Sequence, residues 1–208
     1  MVDILEYTTY IRVNFPDFLV PYQFAWKPWF IGYVFEHSDI QNAFWIDAGI
    51  CTFGNVRFIF EYIELNGMWL TEEDGFVNYN FKHEQCKQIM NLTYKELEGH
   101  QLLAGLTGLN KKQGLSIIHQ WCNYCAIKEC VTGMHWLKEP MPIMSNGKQY
   151  VVFGHRHDQT ILSILTVRYN LPTVQKIWDL YEFRSLVDVN QNNSLFYNHH
   201  GNYEDIQL

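Results

Sequence analysis

Residues 44–50 read FWIDAGI. Ala43, Phe44, Trp45 and Ile46 suit a buried strand, and that strand empties straight into an acid, Asp47, followed by Ala48 and Gly49. A carboxylate is thereby delivered to a strand end. In open α/β sheets ligands sit in the crevice beyond the carboxyl ends of the strands, so an acid placed there faces a ligand. The alternative is an ordinary Asp-Ala-Gly turn. The small residues after Asp47 leave room for a bulky partner close to the backbone.

The rest of the chain supplies the remaining stations. Apolar spacing over residues 29–35 predicts a helix with Pro28 in its first turn. Residues 58–65 (FIFEYIEL) fit strand or helix, with Asn66-Gly67 as the turn that ends them; residues 68–82 show no clear period. A short helix is expected over 83–90, and 97–109 (LEGHQLLAGLTGL) reads as strand or turn. Residues 111–128 carry Leu115, Ile118, Trp121, Cys122 and Cys125 on one helical stripe. Ser145-Asn146-Gly147-Lys148 is a turn before a strand at 149–153, and residues 154–159 (GHRHDQ) lead into a helix over 160–169. Three stations thus share one layout: Asp47-Ala48-Gly49, Gly105 to Gly108, and His155 to Gln159. In a sheet of parallel sense their ends would line one edge.

Composition restricts what such an edge could bind. The 208 residues (24.8 kDa, 48% hydrophobic, 18% charged) suit a single domain, 1–208, with a full core. A net charge of −7 with no basic run longer than Lys111-Lys112 excludes a nucleic-acid surface. An anionic ligand therefore needs a cation or local help. The oxygen ligands Asp47 and Asp158 suit Mg2+ or Mn2+, which would neutralise a diphosphate. No apolar run is long enough to span a membrane, and the first residues lack a basic leader, so a cytoplasmic protein is expected. Five cysteines without a framework pattern suit reduced thiols.

Four blocks together carry a resemblance: Trp26-Lys27, then FWIDAGI at 44–50, AGLTGLN at 104–110, and DQTILS at 158–163. In that order and spacing the chain resembles nucleotide-sugar glycosyltransferases of the GT-A fold, most closely the HtrL/YibB-type family, over residues 26–169. The resemblance implies an α/β fold, a three-layer Rossmann-like (GT-A type) mixed sheet with helices on both faces, whose N-terminal nucleotide-binding part is short or missing. It implies transfer of a sugar from a nucleotide-diphosphate-sugar donor to an acceptor hydroxyl, with Mn2+ or Mg2+. Asp47 is implied to contact the metal. Gly105, Thr107 and Gly108 are implied to line the sugar pocket, and Asp158 to contact the sugar or act as base. Gly49 stands where the wider fold has a second metal-binding acid, so it is assigned to the donor-binding backbone, and His199 or His200 becomes the candidate for a late metal ligand.

Several of these residues have plainer readings. Asp158, ahead of a helix, could be an N-cap. Arg156 is either an ion-pair residue or a diphosphate clamp, and Lys27 is either solvated or directed at the donor, with Gln159 beside them. His119, Cys122, Cys125 and Cys130 have the residue types of a zinc site. Cys122 and Cys125, however, lie on an apolar stripe, and ligands along one helix do not close a tetrahedron. The competing functional reading is a non-catalytic or truncated relative that binds a sugar or nucleotide. A third is a metal-dependent hydrolase.

Overall fold

A computed structural model describes residues 24–47, 50–52, 56–174, 181–182 and 196–198. The fold is mixed α/β, with helices packed around small sheets. Helix α1 (Trp26–Glu36) carries Pro28 in its first turn, where a missing N–H costs nothing, and buries Ile31 and Phe35. Strand β1 (Asn42–Ile46) follows, then the short strand β2 (Ile50–Thr52). Residues 58–65, ambiguous by period, belong to helix α2 (Arg57–Asn66). Gly67, in the left-handed region at φ 84°, closes it by donating its amide to the Ile63 carbonyl. The chain then turns directly into β3 (Met68–Val77) and a 3-10 turn, Asn78–Phe81.

Two short helices, α3 (Glu84–Met90) and α4 (Tyr94–Glu98), lead into β4 (His100–Asn110). The Asn110 side chain accepts from the Lys112 and Gln113 amides and so starts α5 (Lys111–Cys125). Then come α6 (Lys128–Val131), the hairpin of β5 (Met141–Ser145) and β6 (Lys148–Val152), and α7 (His157–Arg168). The expected Asn146-Gly147 turn joins the two hairpin strands. Strands β7 (Tyr181–Glu182) and β8 (Phe196–Asn198) complete a second three-stranded sheet, in which β8 pairs with β2 on one side and β7 on the other.

The main sheet has the order β1-β4-β3 and is antiparallel throughout, which overturns the expectation of parallel strand ends along one edge. A strand that leads through polar residues into a helix looks the same in sequence whether its neighbour runs with it or against it. Helices do cover both faces of this sheet. α2 presses Ile59 and Ile63 against Trp69 and Leu106 on one side. On the other, α1, α5 and α7 enclose Ile31, Phe35, Leu102, Ile118, Trp121, Ile161 and Leu165. Each such side chain contributes about 1.5–3 kcal/mol on burial. A three-layer Rossmann-like sheet is a finer statement than this arrangement supports.

Register positions the site. Strand alternation puts Ala43 and Trp45 on the face covered by α1, and Phe44 and Ile46 on the α2 face. Asp47, the next residue in that alternation, falls on the α1 side. In β4 the register breaks: from Leu70 to Glu72 on β3 the partner moves from Thr107 to Leu102, so β4 carries extra residues around Ala104 and Gly105. The outer edge of β3 is covered by Val174, which bonds to it through both its amide and its carbonyl. Among the described residues no helix is long and apolar enough to cross a membrane.

Candidate functional site

The β4 irregularity turns the Ala104 carbonyl out of the ladder. It accepts from Thr107 Oγ1 at 3.1 Å and from Lys27 Nζ at 3.3 Å. The Gly105 carbonyl accepts the Asp47 amide at 3.0 Å, which ends β1 with its acid beside a glycine. A Cβ on Gly105 would lie 2.9 Å from Asp47 Oδ2 and 3.1 Å from Ile50 Cδ1. Only glycine leaves the carboxylate that place.

Lys27 is the hub. Its ammonium lies 3.0 Å from Asp47 Oδ1 and 3.6 Å from Asp158 Oδ2, so three residues remote in the chain meet at one charge. The side chains of Lys27 and Asp158 are 3% and 2% exposed, whereas that of Asp47 is 36% exposed. Asp47 is therefore the open face of the cluster. The indole N–H of Trp45 also donates to Asp47 Oδ1, which orients the carboxylate. Burial works to lower the Lys27 pKa, but Asp158 and Asp47 together hold it above the ordinary value. Burial pushes the Asp158 carboxyl up to about 7, against the attraction of Lys27 and with the repulsion of Asp47. Asp158 Oδ2 accepts no hydrogen bond among the described residues.

Asp158 does not cap its helix. The N-cap position belongs to Arg156, and Asp158 stands inside the first turn of α7, its backbone carbonyl accepting the Trp121 indole N–H at 2.9 Å. That bond ties α5 to the start of α7. The preceding segment is held by histidines: His155 Nε2 is 3.0 Å from the Cys130 carbonyl, and His157 Nδ1 is 2.6 Å from that of Val131. Gly154 lies under the His135 carbonyl, where a Cβ would come within 2.2 Å. The position of Asp158 thus depends on α6 and the 133–135 loop as well as on α7.

Arg156 points elsewhere. It forms an ion pair with Glu73 of β3, its guanidinium stacked 3.8 Å from the Phe81 ring centroid with Phe76 and Trp136 nearby, which is the plainer of its two readings. Gln159 Nε2 reaches the same Glu73 carboxylate at 3.4 Å. Gly108 is also away from the site: a Cβ there would meet Ile63 Cδ1 at 2.5 Å and Trp69 Cβ at 2.8 Å, under α2. Of the expected residues, Lys27, Asp47, Gly105, Thr107 and Asp158 converge, while Gly108, Arg156 and Gln159 do not join them. Gly49, His199 and His200 lie outside the described residues.

Lys27 is neither solvated nor exposed, because it sits in the first turn of α1, packed over the sheet. Glu73 was not legible, since it lies in the one stretch without a period. The would-be zinc ligands disperse: His119 pairs with Glu36 at the surface, Cys122 and Cys125 are buried on α5, and Cys130 faces Cys86. Among the described residues no group of three or more His, Cys, Asp or Glu side chains could hold a metal ion.

No family model and no curated protein matches the chain. Among solved structures it is similar to mouse xyloside xylosyltransferase 1 in its apo form, with 11% sequence identity and a TM-score of 0.43. The match covers 89% of this chain and 65% of that one. The functional reading rests on the site itself.

Proposed function

We propose that the chain is a glycosyltransferase of the GT-A type, HtrL/YibB-like, that moves a sugar from a nucleotide-diphosphate-sugar donor to an acceptor hydroxyl. The observation that carries this reading is the meeting of Asp47 and Asp158 at Lys27, with Gly105 making room for the Asp47 carboxylate. Sequence blocks far apart in the chain contribute to one polar centre, and that centre opens to solvent through an acid.

Each residue has a role that its surroundings suit. Lys27 and Trp45 hold the Asp47 carboxylate in one orientation. Asp47 fits Mg2+ or Mn2+ as a partial ligand set, because Mg2+ is ordinarily held by one or two carboxylates together with substrate phosphates and not by an all-protein cage. Such an ion would neutralise the diphosphate leaving group. Asp158 is the proposed acid–base group. Its Oδ2 faces Lys27 Nζ at 3.6 Å and accepts no hydrogen bond among the described residues, so it has capacity for a proton from an acceptor hydroxyl brought up to it. Gly105 leaves room beside Asp47 for the sugar, and Thr107, buried and bonded to the Ala104 carbonyl, braces that stretch of β4 from behind.

A second reading is favoured by one specific feature. Lys27 already pairs with both acids, so the cluster would serve equally in a non-catalytic relative that binds a nucleotide or sugar. Titration calorimetry with uridine and guanosine diphosphates, each with and without Mn2+, separates the readings when followed by a donor-hydrolysis assay. The expected result is Mn2+-dependent binding, weakened at least about tenfold in Asp47→Asn, in line with loss of a charged contact. Absence of binding in every condition would overturn the transferase reading. Binding without turnover of any donor selects the second.

A further inference from the structure

Away from this centre, two thiols face each other. Cys86 of α3 and Cys130 of α6 bring their sulfurs to 3.1 Å, although 44 positions separate them in the chain. Both residues are buried, at 1% and 0% exposure. The other buried pair, Cys122 and Cys125, lies along a single helix, where a cross-link would join nothing that the helix does not already join. A disulfide sulfur–sulfur bond is about 2.05 Å, so the Cys86 and Cys130 sulfurs need to approach by only about 1 Å.

We propose that Cys86 and Cys130 are a disulfide-forming pair that ties α3 to α6. In the reaction the two thiols give up two protons and two electrons to a small-molecule disulfide such as glutathione disulfide. One cysteine first forms a mixed disulfide and releases one glutathione thiol; the second cysteine then displaces the other. The Cys130 thiol is pushed up first by its hydrogen bond with Cys86 and then by burial, so the closed fold disfavours the attacking thiolate. Exchange therefore takes place when α6 opens or while the chain folds.

The tie bears on the candidate site. α6 offers the Cys130 and Val131 carbonyls to His155 and His157, the residues just ahead of Asp158. Pinning α6 to α3 fixes the support from which that segment hangs. It also closes a long loop, which stabilises chiefly by restricting the unfolded chain.

The test uses the full chain, both native and refolding from the reduced denatured state, in glutathione disulfide or in reductant. Free thiols are then alkylated in denaturant and the digest is mapped by mass spectrometry. The expected outcome is one cross-linked peptide joining Cys86 to Cys130 and a Tm about 5–10 °C above the reduced protein. That increment should vanish in Cys86→Ala and persist in Cys122→Ala. Full alkylation of both cysteines after both treatments, or a cross-link that joins other cysteines, overturns the proposal.

Discussion

Two buried ion pairs start two residues apart, at Arg156 and Asp158, and they differ in one respect that decides what each can do. Arg156 and Glu73 are both about 10% exposed, and the guanidinium is enclosed by Phe76, Phe81 and Trp136. Lys27 and Asp158 are as deeply buried, but their third partner, Asp47, is 36% exposed at a strand end beside a glycine. The first cluster is closed, and its charge is spent on joining β3 to α7. The second is closed at its back and open at its front, which is the arrangement a ligand site requires. Charge and burial alone do not mark a site; access to one of the charged groups does.

That contrast can be broken by measurement. Glu73→Ala leaves the Arg156 guanidinium buried without its carboxylate, and loss of about 3–5 kcal/mol is expected in urea unfolding. Asp47→Asn removes a half-exposed charge and leaves Lys27 with Asp158, so about 1 kcal/mol or less is expected. Equal losses in the two variants would erase the distinction. The two glycines sharpen it further. Gly108→Ala drives a methyl into Ile63 and Trp69 and should cost about 1–3 kcal/mol without altering diphosphate binding. Gly105→Ala displaces the Asp47 carboxylate, with the larger effect in binding and the smaller in stability. The reverse pattern would place the ligand on the α2 side.

Acid gives a subtler comparison. Burial, reinforced by His157, lowers His155 to about 3 and His135 to about 4 from an ordinary 6.5. The unfolded chain therefore takes up protons that the folded chain refuses. Stability from these groups is complete above about pH 6.5 and is lost as pH falls toward 3–4. Asp158 runs the other way, since its folded value of about 7 exceeds the ordinary 3.8, so its contribution is lost as pH rises through 7. Between pH 7 and 5 the two partly cancel. Asp158→Asn should make the acid loss steeper than in the unaltered protein, read as the change in urea midpoint between those pH values. An identical slope in both would show that Asp158 is charged throughout.

Much of this was legible locally. Pro28 and the apolar spacing after it place α1, the stripe of Ile118, Trp121, Cys122 and Cys125 places the buried side of α5, and Asn146-Gly147 places the hairpin. Residues 43–47 carry both the strand and the face on which its acid emerges. Less legible was the pairing of Gly105 with Gly108. Three residues apart in one glycine-rich block, Gly105 makes room for the Asp47 carboxylate and Gly108 for Ile63 and Trp69, with an irregular stretch of β4 beside them. Nothing in the 68–82 stretch marked Glu73 as the partner that Arg156 would take.

The amino-acid sequence by itself marked α1, the strand that Asp47 closes, the buried side of α5 and the hairpin turn, but not β3 or the choice between helix and strand at α2. Strand direction, the choice of Lys27 as the common partner of Asp47 and Asp158, and the enclosure of Arg156 were decided only by the tertiary structure. The physical reason is range. Periodicity and capping act over a few residues, whereas partners are chosen by the packing of whole helices on a sheet, with energies that no single stretch of chain contains.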